Sequence, residues 1–115
     1  FNIVGRNQDD HVKNVSFLLD SMTAERRLAP AYDLSFPAGS GYTARHQMTL
    51  GGKSGDFTRA LLLETGEKFS IKHPGAVIDE VIQAFAGWGA LAAQHGVPRE
   101  QVSEVGKRLR LELRA

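Results

Sequence analysis

Residues 7–36 read NQDDHVKNVSFLLDSMTAERRLAPAYDLSF. How this stretch folds decides which side chains can meet. Asn7–Asn14 holds two carboxylates, a histidine, a lysine and two asparagines in eight positions. Side chains of this kind bond their own backbone, so Arg6–Asn14 is expected to be a loop. VSFLLD (15–20) is β-branched and apolar, which predicts a short buried strand. SMTAERR (21–27) reads as a turn and RLAPAYDLSF (27–36) as an extended return. Pro30 forces Ala29 away from helix and argues against a central strand position. The expected unit is a short hairpin with polar groups at both ends. Such a hairpin brings Asp33 back beside Asn14.

Upstream, Phe1–Val4 is expected to be the last turn of a helix, with Gly5 as its stop. Phe1, Ile3 and Val4 have the character of a buried element, and the chain lacks an initial Met, so a piece of a longer protein is expected. Downstream, PAGSGY (37–42) is a loop, and the chain stays irregular to about residue 55. Asp56 is placed to cap a helix from Phe57 to Thr65, stopped by Gly66. The clearest pattern follows. Val77, Ile78, Val81, Ile82, Phe85, Trp88, Leu91 and Ala92 recur every three or four residues. That periodicity predicts a helix from Gly75 to Gln94. Gly87 and Gly89 weaken it around Trp88, as if to admit a close neighbour. Pro98 suits the first turn of a last helix, with a stripe of Val102, Val105, Leu109 and Leu113. The expected fold is mainly α with a short hairpin.

With 115 residues the chain makes one domain at most. A net charge of +1 does not point to nucleic acid or an anionic membrane surface. The absence of cysteine removes disulfides and thiolate metal sites and fits a reducing compartment. No apolar run approaches the length of a membrane span, about 18 residues or more, and no signal-peptide pattern is visible.

Several signals carry bland readings. GGKS (51–54) lacks the first glycine of a P-loop, because Gln47 stands there, and reads as a loop with a lysine. His46, His73 and His95 are scattered and read as structural or surface residues. GKRLRLELR (106–114) is basic and amphipathic, and reads as a solvated helix face. Trp88 reads as a core anchor. Tyr32 either packs beneath the Asp33 region or faces a nucleotide.

Asp9 and Asn14 form the pattern D-x-x-x-x-N, the spacing of a kinase catalytic loop. There, an aspartate accepts the proton of the attacking hydroxyl. An amide oxygen on the same loop reaches a magnesium ion, and hard cations prefer oxygen ligands. Asp33 lies 24 residues after Asp9 and would supply a second metal oxygen, with YDL in the place of DFG. Read from the residues alone, turn-forming and capping roles for all three stay open.

NQDDHVKNVSFLL followed by LAPAYDLSF resembles the catalytic core of HipA-like serine/threonine kinase toxins. HQMTLGGK and the helix with Trp88 resemble the C-terminal region of the same family, so the resemblance covers nearly the whole chain. It implies the helical C-terminal lobe of a kinase-like fold over 1–115, with the catalytic loop and hairpin in 1–36 and the helical part in 55–115. It implies Asp9 as catalytic aspartate and Asn14 and Asp33 as magnesium ligands, with His11 and Lys13 near the phosphates of ATP. Lys13 is offset from the lysine of the HRDLK loop. Asp10 is expected to be an exposed neighbour, since a small residue also occurs there in the family.

The resemblance further implies a cytoplasmic toxin–antitoxin protein. It would phosphorylate a protein target, aminoacyl-tRNA synthetases being among the family's substrates. It would be neutralised by an antitoxin and meet DNA only through it, with no membrane partner. The strand lysine that grips the phosphates, its glutamate partner, the phosphate-covering loop and the regulatory serine loop have no counterpart in these residues. The chain alone is therefore expected to be inactive. The competing expectation is a non-catalytic helical module that binds an antitoxin or a missing kinase lobe.

Overall fold

A computed structural model describes residues 1–114. Among these, the fold is mainly α, with one two-stranded antiparallel sheet. The first helix, α1 (Asn2–Gly5), is a single turn. Its stop is Arg6, in the left-handed region at φ 52°, and not Gly5. Gly5 lies inside the turn because a Cβ there would overlap the ring of Phe85. The glycine serves close packing, and the arginine takes the strained conformation.

The hairpin forms as expected. β1 (Phe17–Leu19) pairs with β2 (Arg26–Leu28), with Phe17 opposite Leu28 and Leu19 opposite Arg26. Asp20 closes it, its Oδ1 accepting the N–H groups of Met22 at 2.8 Å and Thr23 at 3.2 Å. The expectation of a buried strand is corrected. Phe17 is 68% exposed, Leu19 61% and Leu28 64%, because no layer of the described chain covers this sheet.

Thr58, not Asp56, caps α2 (Arg59–Lys68), its Oγ1 accepting Leu61 N–H at 3.2 Å. Asp56 sits at φ 54° and pairs with exposed Arg45. Gly66 does not stop α2. It is buried inside the helix, against Pro74 at the start of α3 (Pro74–Ala86). The expected long helix is two: α3 and α4 (Trp88–Gln94) are bent by 41° around Gly87. The close neighbour lies elsewhere than at Gly89, which faces open space. Trp88 instead meets Gly106 of α5 (Arg99–Arg108) and donates its indole N–H to Val102 O at 2.9 Å. It anchors α4 to α5.

The last helix ends at Arg108, so the four-residue stripe does not lie on one helix. Leu109 is extended and Leu113 belongs to a 3-10 turn (Leu111–Arg114), yet both are buried. Burial of these leucines outweighs continued helix. The core is Val4, Ile82 and Leu113, with Ile3, Leu62, Ile78, Val81, Phe85 and Leu111 packed around it. α3 is thus sandwiched between the first turn of the chain and the segment after α5. Among the described residues, no single helix is long and apolar enough to cross a membrane.

Candidate functional site

Beyond Arg6 the chain turns into the polar loop, and its side chains are not equivalent. Asn7, Gln8 and Asp10 are buried, while Asp9 between them is half-buried. The Asn7 amide donates to Asn2 Oδ1 and to the carbonyl of Asp33, each at 3.2 Å. Tyr32 Oη donates to Lys13 O at 2.6 Å. These bonds stitch the hairpin's return segment to the loop at two points. Asn14 Nδ2 donates to Asp9 O at 3.0 Å, drawing the two ends of D-x-x-x-x-N together. The backbones that carry Asp9, Asn14 and Asp33 are therefore neighbours. Asp33 holds φ 52°, a conformation aspartate tolerates better than most residues, with its side chain exposed.

Among the described residues, the Asp9 carboxylate has no protein hydrogen-bond donor. Asn14 spends its amide N–H on Asp9, which leaves its Oδ1 available as an acceptor. Lys13 is exposed and contributes its carbonyl to Tyr32. Tyr32 thus packs its hydroxyl on the loop. His11 is half-buried, and its Nδ1 is buried without a partner. No group of three or more His, Cys, Asp or Glu among the described residues is placed to hold a metal. The Asn14 amide oxygen and the Asp33 carboxylate are two hard oxygen donors. Hard cations such as magnesium take oxygen ligands of this kind.

A cleft of about 570 Å³ opens beside the loop, lined in part by Phe1, Ile3, His11, Asn14, Tyr32 and Phe57. That is within the usual size of ligand pockets, about 300–1,000 Å³, and it is mostly apolar with a few polar groups.

Behind the loop lies a buried polar network that corrects the reading of Asp10. Asp10 is 7% exposed. Its Oδ1 accepts Gln47 N–H at 2.9 Å, and its Oδ2 lies 2.8 Å from His46 Nδ1. Arg110 Nη1 reaches His46 Nε2 at 3.1 Å. Arginine can only donate, so Nε2 accepts and Nδ1 carries the proton toward Asp10. His46 is thereby neutral. Its pKa is lowered, first by burial and further by Arg110 and Arg6, against the opposing pull of Asp10. Arg110 also donates to Ile3 O at 2.6 Å and to Gln8 Oε1 at 3.4 Å, and stacks over Phe57.

The family described as HipA-like C-terminal domain matches residues 1–107. The chain belongs to that family. No curated protein and no solved structure gives a significant match.

Within this HipA-like domain, the remaining motifs resolve simply. Gly51 and Gly52 have φ 57° and 77° and form a two-residue turn between the bridged Leu50 and Lys53. GGKS is a hairpin turn. His73 and His95 are exposed, and His46 is structural. Arg110, read beforehand as part of a solvated helix face, is 8% exposed and belongs to the network behind the loop. Gln8, Asp10 and Arg110 are the residues that sequence reasoning missed, along with the bond from Asp10 to His46, a histidine read as structural or surface. The doublet Asp9–Asp10 offers no local signal to tell the two carboxylates apart.

Proposed function

We propose that this HipA-like domain is the C-terminal part of a toxin kinase that moves the γ-phosphate of ATP to a serine or threonine of a protein target. The observation that carries the reading is the stitching of Asp33 to the loop through Asn7 and Tyr32. It holds the backbone of Asp33 against the loop that carries Asp9 and Asn14, and among the described residues the Asp9 carboxylate has no protein donor.

In this reading Asp9 orients the substrate hydroxyl and accepts its proton. Asn14 Oδ1 and the Asp33 carboxylate would hold magnesium. When bound, magnesium supplies charge neutralisation along the phosphates. Asn14 also restrains the Asp9 backbone, so one side chain serves both the base and the metal. His11 and Lys13 lie on the same loop and would face the phosphates, Lys13 offsetting their charge. The lysine and covering loop that complete an ATP site are expected from another part of the parent protein. An antitoxin is the proposed regulatory partner, DNA is reached only through it, and the setting is the cytoplasm.

The exposed apolar face of the hairpin favours a second reading, a non-catalytic module that binds an antitoxin or a kinase lobe. Phe17, Leu19, Met22 and Leu28 all lie open there. Both readings are tested by supplying the nucleotide-holding lobe and measuring phosphate transfer from ATP. Asp9→Ala and Asp33→Ala should each abolish transfer. Transfer that survives either change refutes the site assignment. An intact complex with no transfer at all favours the binding module.

A further inference from the structure

We propose that Asp10 is a positioning residue. Through His46 and Arg110 it fixes the orientation of the Asp9 carboxylate. The inference rests on the reading of Asp9 as the base.

The geometry points one way. Both neighbours of Asp9 are anchored inward on opposite atoms of one buried network. Gln8 Nε2 donates to Thr43 O, and Gln8 Oε1 accepts from Arg110 and Arg6 at 3.4 Å each. Asp10 has both carboxylate oxygens bonded, to Gln47 N–H and His46 Nδ1–H. Asp9 has a bonded carbonyl, which accepts from His11 N–H at 3.1 Å and Asn14 Nδ2 at 3.0 Å. Its neighbours and its own backbone are therefore held, while its carboxylate is left to act. That is the arrangement a general base requires: a fixed frame with an unpaired acceptor.

The network is also directional in its protons. Arg110 donates to Nε2, Nε2 can only accept, and Nδ1–H can only donate to Asp10. Phe57 seals it from one side, its ring 5.3 Å from that of His46 and 5.3 Å from the Arg110 guanidinium. The reach is long. Asp10 and His46 are 36 residues apart, and His46 and Arg110 are 64. The frame of Asp9 thus depends on three separate parts of the chain.

The test uses substitutions in the complete kinase, with wild type and Asp9→Asn as references. Asp10→Asn keeps the shape, but its amide cannot satisfy both Gln47 N–H and His46 Nδ1–H as the carboxylate does. It should lower kcat about 100-fold, the effect of a small misplacement of a reacting group, and leave KM for ATP unchanged. His46→Gln offers one donor and one acceptor and should retain most of the activity, whereas His46→Leu should behave like Asp10→Asn. A purely structural role predicts lower thermal stability with kcat of the folded protein unchanged, and that result overturns the proposal. Equal activity of His46→Gln and His46→Leu overturns it too. If Asp9→Asn itself leaves transfer intact, the reading beneath the proposal has failed instead. An independent measurement needs no activity. In the 115-residue chain, the Asp9 carboxyl carbon shift should move in His46→Leu and stay in His46→Gln, and an unmoved shift in His46→Leu overturns the proposal.

Discussion

The side-chain amide of Asn7 bonds the carbonyl of Asp33 and the side chain of Asn2, each at 3.2 Å. One buried residue thereby links α1 to the returning arm of the hairpin. Asn7→Ala removes both bonds and releases the backbone that carries Asp33. It should destabilise the domain by about 1–3 kcal/mol, the range for breaking a buried polar contact. Under the proposed kinase reading, it should also raise the magnesium concentration needed for transfer in the protein completed with its nucleotide-holding lobe. Urea unfolding and a magnesium titration of the rate check the two effects. Unaltered magnesium dependence would separate Asn7 from the site.

Stability should fall with acid through His46. Its pKa is held below the ordinary value of 6.5 by burial, with Arg110 and Arg6 adding to the effect and Asp10 opposing it. The unfolded chain therefore takes up a proton that the folded chain refuses. The contribution of this group is complete above about pH 6.5 and is lost as pH falls through the lower folded pKa. Urea midpoints measured from about pH 8 down to pH 5 should fall in the acid half of the range. His46→Gln should flatten the part of that slope that His46 causes.

The core predicts its own sensitivity. Ile82 is 2% exposed and packs against Val4 and Leu113. Ile82→Ala should cost about 2–5 kcal/mol, because the cavity lies between three segments that cannot all collapse into it. Gly5→Ala should also destabilise, since the added methyl overlaps Phe85. Phe85→Leu should partly relieve Gly5→Ala, which a double-mutant cycle measures by thermal unfolding.

Magnesium should bind the isolated domain weakly. Asn14 and Asp33 offer two side-chain oxygens, and magnesium retains its water unless phosphate oxygens help. Calorimetric titration should show little heat without nucleotide. Tight binding there would contradict the assignment of these two residues.

Much of this was legible in the residues, for reasons that differ by element. The hairpin could be read because the short apolar run up to Asp20, with Pro30 on the return arm, leaves few alternatives. α3 could be read because its apolar spacing runs on from Val77 to Ala92, into α4, although the break around Gly87 could not. The end of α5 was hidden because Leu109 and Leu113 satisfy a helical stripe and a buried extended segment equally well. Asp10 was hidden for a stronger reason. Its partners lie 36 and 37 residues away, and nothing in DDH tells which carboxylate turns inward. The exposure of β1 was misread because an apolar strand implies a cover, and no described segment supplies one.

The bond from Arg110 to Ile3 spans 107 positions. During synthesis, at about 5–20 residues per second, Ile3 and the loop behind it emerge roughly 5–20 s before the arginine that holds them. Until then His46 has no donor at Nε2 and the loop has no back wall. A nascent chain therefore carries these polar residues for many seconds as an unorganised segment, and the arrival of residue 110 sets the moment at which the loop can lock.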